Sequence, residues 1–390
     1  MKKNSLYQMH PNNLEELFQN LDSLLADGRL QGTRVAVFGT NKAGGVITHY
    51  LQQKGIRVDA ILDSHPLRHH RKAYDVTIVR PDEFLQPYRD DTRILFATYG
   101  IDGIIKLLED QGYRLGRHIF PVLDARRAGN DYTFLSRSGM TPATDEEIRQ
   151  SMLRSVEELD RLCTEHGLRY FLSSGTLLGA VRHQGFIPWD DDADLYMPVG
   201  DIVKLSEIMK DREDFSLINC YDDENVHCDM LTYITDNRYV CDCMTFPQIS
   251  MGLPVDIFTL IGMPKDEEER ERYSRELKAL DMEGWCSYRD EERRMELRRQ
   301  MREKMLQYDF DTSDYVTSPY SAMFYEVPYD KAIFSDYTPV PFEGRQFRAP
   351  VGYDALLKRQ YGDYMQLPPE SARTGGHEHR AYHRKPGDRG

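Results

Sequence analysis

Residues 170–197 read YFLSSGTLLGAVRHQGFIPWDDDADLYM, and this stretch decides what kind of domain surrounds it. A short apolar run at 170–172 predicts a strand, and Gly175 and Thr176 follow it as a tight turn. Four aspartates then stand within five residues: Asp190, Asp191, Asp192 and Asp194.

The spacing of these acids predicts a second strand. In an extended segment alternate side chains share a face, so Asp190, Asp192 and Asp194 are expected to point one way while the apolar residues after them point into the core. Carboxylates about 6–7 Å apart repel one another unless a cation neutralises them. Hard oxygen ligands of this kind select Mg²⁺ or Mn²⁺. An acidic turn that caps a helix is the alternative, and four aspartates beside Trp189 disfavour it.

Upstream of the quoted stretch, the sequence predicts the start of a domain. Residues 131–143 lose all periodicity and are expected to form a linker. Thr144 and Glu147 then have the spacing of a capping box. The helix that follows has one apolar face and is predicted to stop at Gly167.

Downstream, residues 264–308 are dense in alternating Glu and Arg, which predicts exposed helices laced with ion pairs. The Arg-rich part, 293–304, has a second interpretation as a surface for an anionic membrane, although its interleaved glutamates favour a solvated helix. Residues 376–390 are predicted to be a flexible basic tail. We therefore expect the domain with the acids to span 144–375.

The first 130 residues alternate strand-like and helical runs. The strand-like runs are 34–38, 58–62, 77–79, 92–97 and 118–122. Alternation at this spacing predicts an α/β domain with a parallel, doubly wound sheet, so we expect residues 1–130 to be Rossmann-like.

A Gly-rich turn follows the first of these strands. Gly39 and Gly44 lie in the turn and Asp63 ends the next strand, as in folds where glycines admit a pyrophosphate and an acid holds a ribose hydroxyl. The fingerprint is imperfect because Asn41 replaces its second glycine. A bound nucleotide and a turn that only closes the scaffold both remain open. The basic cluster at 65–72 likewise fits a phosphate contact or a solvated loop.

Amino-acid composition limits the classes of protein to which this chain can belong. The chain has 390 residues, 40% hydrophobic and 29% charged, which indicates globular domains. Its 50 basic and 64 acidic residues give a net charge of −14, which argues against nucleic-acid binding. Without a signal-like N-terminus or an apolar run near the roughly 18 residues of a membrane span, we expect a cytoplasmic protein, with the inner membrane face as an alternative.

The six cysteines are too sparse for a disulfide scaffold. Some of them cluster near one histidine, and the members are Cys220, His227, Cys228, Cys241 and Cys243. Their spacing matches no standard zinc site, so buried thiols or an irregular loop are favoured.

Three segments, in order across residues 147–373, resemble the LicD family of phosphotransferases, which includes bacterial phosphocholine transferases and the human proteins fukutin and fukutin-related protein. The first is the acid-rich stretch, the second LPVDIF at 253–258, and the third FEG at 342–344 with YGDYMQLPP at 361–369. The resemblance implies an α+β nucleotidyltransferase-type domain with helical additions.

The resemblance also implies a reaction. A phospho-substituent, phosphocholine first, would move from a CDP-linked donor to a hydroxyl of a glycan or lipid-linked glycan such as lipopolysaccharide, teichoic acid or capsule. Two alternatives stay open: a nucleotidyltransferase acting on a sugar or alditol phosphate, and a nucleotide-sensing module that works through the N-terminal domain. The oligomeric state is left open.

The resemblance carries roles onto the charged residues of this chain. Asp192 and Asp194 match the metal-binding acid pair, and Asp256 matches a third acid that completes the metal site or acts as base. Arg182 would neutralise phosphate charge bidentately. Asp190 or Asp256 could take the proton of the acceptor hydroxyl.

The predicted substrate contacts are mostly uncharged. Gly175 and Thr176 match the turn that faces the donor phosphates. The other candidates are His183, Trp189, Tyr361 and Tyr364. The three aromatic rings could form a cage for a quaternary ammonium, although packing in the core is the commoner role for such rings. The tail histidines, His377, His379 and His383, either close over substrate or hang free.

Overall fold

The computed structural model describes residues 8–9, 11–64, 69–98, 101–124, 139–219, 230–243, 249–323, 327–373, 375 and 379–385. The helices are α1 Pro11–Ala26, α2 Lys42–Gln53, α3 Pro81–Leu85, α4 Ile101–Asp110, α5 Asp145–His166, α6 Ser174–His183, α7 Val199–Met209, α8 Glu267–Cys286, α9 Glu291–Met305, α10 Pro319–Met323 and α11 Tyr353–Tyr361. The strands are β1 Gln8–Met9, β2 Arg34–Phe38, β3 Ala60–Leu62, β4 Lys72–Ala73, β5 Val76–Val79, β6 Thr92–Thr98, β7 Ile119–Asp124, β8 Phe171–Leu172, β9 Asp194–Pro198, β10 Phe215–Ile218, β11 Thr232–Cys243, β12 Ile249–Met263, β13 Tyr315–Thr317, β14 Tyr329–Asp330, β15 Tyr337–Phe342, β16 Arg345–Pro350 and β17 His379–His383.

The N-terminal part is built on a six-stranded sheet in the order β4-β5-β3-β2-β6-β7. All of these strands are parallel except β4, which pairs antiparallel with β5 at the edge. Alternate residues of β2 enter two different cores, Val35 and Val37 one and Ala36 and Phe38 the other. Because both faces are covered, the strands appear in the sequence as continuous apolar runs. The predicted parallel sheet is confirmed, and its Rossmann-like character stays a prediction.

The rest of the chain surrounds a nine-stranded mixed sheet with β12 at its centre. β12 pairs antiparallel with β11 and parallel with β9, and β9 also pairs with β8. The predicted capping box is present at the start of α5, and Gly167 ends that helix in the left-handed conformation at φ 65°. These elements share one large apolar core.

The prediction of a flexible tail is wrong for residues 379–383, which form β17 against β11. The backbone N–H of Ala143 donates to Ala381 at 2.9 Å, and that of His383 donates to Thr141 at 2.8 Å. The sequence did not reveal this strand because its side chains are mostly polar. Backbone hydrogen bonds to an available sheet edge hold the strand, rather than burial of an apolar face. Residues 131–138 of the predicted linker lie outside the described residues, as do 376–378, with His377, and 386–390.

Helix α8 joins the two parts of the molecule. Its residues Met282 and Trp285, with Tyr288 just beyond it, pack into a core formed by α1, α2 and the first sheet. The prediction of exposed helices at 264–308 therefore fails for this face of α8. Helix α9 does carry the predicted ion pairs, such as Arg299 with Glu296, but it also buries Met301. No helix in the described ranges is both long and apolar enough to span a bilayer.

Candidate active site

The predicted Gly-Thr turn is the first turn of α6, which directly follows β8. Ser174 opens this helix at φ 46°, and a Cβ added to Gly175 would lie 2.6 Å from the Asp190 Oδ2 atom. The hydroxyl oxygen of Thr176 accepts the backbone N–H of Asp194 at 2.8 Å. The start of α6 therefore lies against the acid-rich segment at two points.

Gly175→Ala should lower activity with little loss of stability. The new methyl group would displace the Asp190 carboxylate, a side-chain end that can rotate away, and a displacement of about 1 Å at a reacting group can cost roughly 100-fold in rate. Initial rates and thermal melts measure the two effects. Gly200→Ala is the matched control, because a Cβ there meets nothing within 4 Å. Equal rates for both variants would contradict the placement of Asp190.

The acids before β9 do not alternate along a strand as predicted. Asp190, Asp191 and Asp192 precede β9, and ligand oxygens of all three lie within 4.8 Å of one another. β9 itself is buried along its whole length, on both faces, and it pairs with β8 and with β12. Strand alternation separates acid from apolar faces only where one face meets water. The sequence placed Asp191 among the clustered aspartates but, by assuming alternation, gave it no role on the face of Asp190 and Asp192.

Asp194 and Asp256 meet across two neighbouring strands. They are register partners in the parallel pair β9–β12, and the Asp256 backbone N–H donates to Ala193 at 2.9 Å. Asp194 is only 9% exposed. Burial raises the pKa of its carboxyl well above the ordinary value, and the charges of Asp192, Asp256 and Asp190 raise it further. The structure thus brings together Asp190, Asp192, Asp194 and Asp256, the four acids for which the sequence predicts a role.

This donor set fits a hard divalent cation. Several carboxylates converge where one of them is buried and destabilised in its charged form, so a cation would relieve both the repulsion and the burial cost. Oxygen-only ligands are those that Mg²⁺ and Mn²⁺ prefer. That Asp192, Asp194 and Asp256 are the ligands stays a prediction.

Arg182 is held by backbone carbonyls. Its Nη1 donates to Tyr364 O at 2.8 Å and to Gln366 O at 3.4 Å, and its Nε to the His183 Nδ1 at 3.4 Å. Burial lowers the pKa of Arg182. These bonds hold the segment after α11, and the predicted bidentate contact of Arg182 with phosphate stays a prediction.

The three aromatic candidates have different surroundings. Tyr361, at the end of α11, is 43% exposed, and desolvation and then the charges of Asp194, Asp190 and Asp192 raise the pKa of its hydroxyl. The Tyr364 hydroxyl instead donates to Asp354 at 2.9 Å. Among these two tyrosines, Tyr361 is therefore the one whose hydroxyl senses the acids.

Trp189 has a cation over its ring. The Arg373 guanidinium lies 5.4 Å from the ring centroid, and His183 meets the indole edge-on at 6.1 Å. The indole also packs against the large core. That Trp189, Tyr361 and Tyr364 form an aromatic cage stays a prediction.

The N-terminal candidates lie close together around one turn. Gly39 has φ 103°, and a Cβ on Gly44 would lie 2.2 Å from the Gly39 carbonyl oxygen. Asn41 caps α2 by accepting the Gly44 N–H at 2.8 Å. The Thr40 hydroxyl donates to the Asp63 carboxylate at 2.6 Å. These contacts account for both glycines and the acid as parts of a tight turn, and a nucleotide here stays a prediction.

The remaining candidates form no cluster in the described ranges. Cys241 is a buried free thiol, and Cys220, His227 and Cys228 lie outside those ranges. Residues 65–68 of the basic cluster are outside them as well. His383 pairs with Glu147 at 3.1 Å, which ties β17 to the start of α5.

Comparison with known proteins gives this geometry a context. Residues 167–232 match the family described as LicD/FKTN/FKRP, nucleotidyltransferase domain. Lipopolysaccharide cholinephosphotransferase LicD of Haemophilus influenzae is 27% identical over 264 residues, 60% of this chain and 97% of that protein. Ribitol 5-phosphate transferase FKRP of Homo sapiens is 38% identical over 77 residues, 18% of this chain and 16% of that protein. The chain thus spans nearly all of the first relative and under a fifth of the second.

Proposed function

The chain carries a domain of the LicD family, and from this premise we propose that it transfers a phospho-substituent from a CDP-linked donor to a hydroxyl of a glycan. Its relatives are transferases, which supports group transfer as the type of reaction. The observation that carries the proposal is the buried carboxyl of Asp194, which feels the charges of Asp192 and Asp256 and whose backbone is bound by Thr176 in the first turn of α6. Phosphoryl transfer needs charge neutralisation and alignment more than covalent chemistry by the protein.

In this proposal Asp192, Asp194 and Asp256 hold Mg²⁺ or Mn²⁺. When bound, the metal would neutralise the donor pyrophosphate and the departing CMP. The protein contributes the placement of its acids: Thr176 fixes the backbone of Asp194, and the β9–β12 pairing fixes Asp256 beside it.

Two further parts of the chain act on the substrates. Gly175 and Thr176 lie in the first turn of α6, where backbone N–H groups favour the phosphates of the donor. Asp190 or Asp256 takes the proton of the acceptor hydroxyl as the new ester bond forms.

The similar proteins suggest the order in which donors should be tested. Phosphocholine comes first, because the chain covers nearly the whole of the cholinephosphotransferase, whose name gives lipopolysaccharide as its acceptor. Ribitol 5-phosphate comes second, because the match to that transferase is short. Teichoic acid and capsule are further acceptors with suitable hydroxyls.

A donor screen tests the proposal. CDP-choline, CDP-ribitol, CDP-glycerol and CTP are incubated with lipopolysaccharide and Mg²⁺ or Mn²⁺, and CMP release and product mass are measured. We expect CMP from one CDP-linked donor, dependent on acceptor and lost with EDTA. Pyrophosphate release from CTP with an alditol phosphate would instead show a nucleotidyltransferase. No CMP from any donor–acceptor pair would contradict the proposal.

A further inference from the structure

Arg373 lies at the rim of the acid cluster, on a segment for which the sequence predicts no role. It follows a 3-10 helix, Glu370–Ala372. Its guanidinium lies over Trp189, the residue immediately before Asp190. A positive charge therefore lies against the residue that immediately precedes the carboxylates in the chain.

The position of Arg373 is fixed from several sides. Its Nε donates to Pro368 O at 3.0 Å, and its backbone N–H donates to Glu370 O at 3.0 Å. Two residues later, Gly375 approaches Asp191 so closely that a Cβ would lie 2.4 Å from the carboxylate oxygen. Pairing of β17 with β11 anchors the chain beyond that point. The arginine is thus held at the site before any substrate arrives.

The terminal nitrogens of Arg373 form no hydrogen bond with the residues that the structure describes. Within the described residues, Nε is the guanidinium nitrogen of Arg373 that donates a hydrogen bond. No carboxylate of those residues forms an ion pair with Arg373. Arg182 differs, because its Nη1 already serves two backbone carbonyls. A planar guanidinium whose two NH₂ groups have no acceptor among the described residues can offer phosphate a bidentate contact.

We propose that Arg373 binds a phosphate group of the substrate through Nη1 and Nη2, and that Arg182 is a positioning residue that holds the neighbouring segment. The inference rests on the proposed function for the presence of a phosphate-bearing substrate. That phosphate belongs either to the CDP-linked donor or to the acceptor glycan. Because the guanidinium occupies the face of Trp189, this ring does not receive a quaternary ammonium.

Calorimetric titration of the full chain tests the role of Arg373. CDP and cytidine serve as probes with and without phosphate, in the presence of Mg²⁺. Loss of a charge-assisted bidentate contact should weaken CDP binding roughly 10- to 100-fold in Arg373→Gln and leave cytidine binding unchanged. Arg373→Lys, which keeps the charge and loses the fork, should fall between. Arg272→Gln on α8, whose side chain is 61% exposed, is the control, and thermal melts verify that each variant is folded.

The outcomes separate this inference from the proposed function. Unchanged CDP affinity with a tenfold higher KM for lipopolysaccharide would assign the phosphate to the acceptor. Unchanged CDP affinity with unchanged KM for donor and acceptor overturns the role of Arg373. If wild type prefers CDP to cytidine and Arg373→Gln loses that preference, while the donor screen yields no transfer, the proposed function fails and the phosphate site stands.

Discussion

Asp194→Asn is expected to reduce transfer by at least about 1,000-fold and to make the metal-free protein more stable at neutral pH. The activity falls because preorganised charge at the phosphoryl group supplies most of the rate in such sites. The stability rises because Asp194 is buried among Asp192, Asp256 and Asp190, which disfavour its charged form. Asparagine has the same shape without the charge.

The pH dependence of stability separates this explanation from a general effect of substitution. The folded-state pKa of Asp194 lies above its unfolded value, so the folded state keeps the proton longer and the free energy of unfolding falls as pH rises from about 4 through the folded-state pKa. Asp194→Asn removes this decline. Thermal melts in EDTA at pH 5 and pH 8 measure it, and exposed Asp211→Asn is the control. Normal turnover, or a decline equal to that of wild type, would show that Asp194 is not the buried acid of the site.

The acid-rich segment shows which features of the site can be predicted from the sequence and which cannot. Four aspartates in five residues predict a charged site, and the pairing of Asp194 with Asp256 agrees with the apolar strands that carry them. The faces could not be predicted, since alternation assumes one solvated face and β9 is buried along its whole length. The local sequence pattern therefore identifies the acids, whereas the pairing of strands in the fold decides which residues lie next to them.

Long-range contacts explain the other differences. Arg373 is within reach of Trp189 only because the chain returns to the acids near its end, and a polar segment gives no periodic signal of such a return. β17 pairs with β11, about 140 residues earlier, through backbone groups that every sequence has. At the Gly-rich turn, the sequence left a nucleotide site and a scaffold turn open, and the cap by Asn41 depends on side-chain geometry that glycine spacing does not encode.

Trp285→Ala should destabilise the protein by about 3–5 kcal/mol, as expected when a large aromatic ring leaves a cavity in a core. Trp285 is 2% exposed, its indole N–H donates to Asp281 at 3.1 Å, and the Lys42 ammonium lies 4.9 Å from the ring. Urea unfolding measures the loss. Met295→Ala on α9, which removes a side chain that is 50% exposed, is the control and should change stability by less than about 0.5 kcal/mol.

The same variant tests what the N-terminal part contributes. Trp285 belongs to the core shared with α1 and α2, whereas the residues around the acids pack into the other large core. Below its melting temperature Trp285→Ala should therefore keep the wild-type rate within about twofold, because no group at the acids has moved. A stability equal to that of Met295→Ala would contradict the packing of α8 against the first sheet. A large loss of rate in a folded variant would instead mean that the N-terminal part acts on the reaction through α8, which favours the sensing function over a purely structural one.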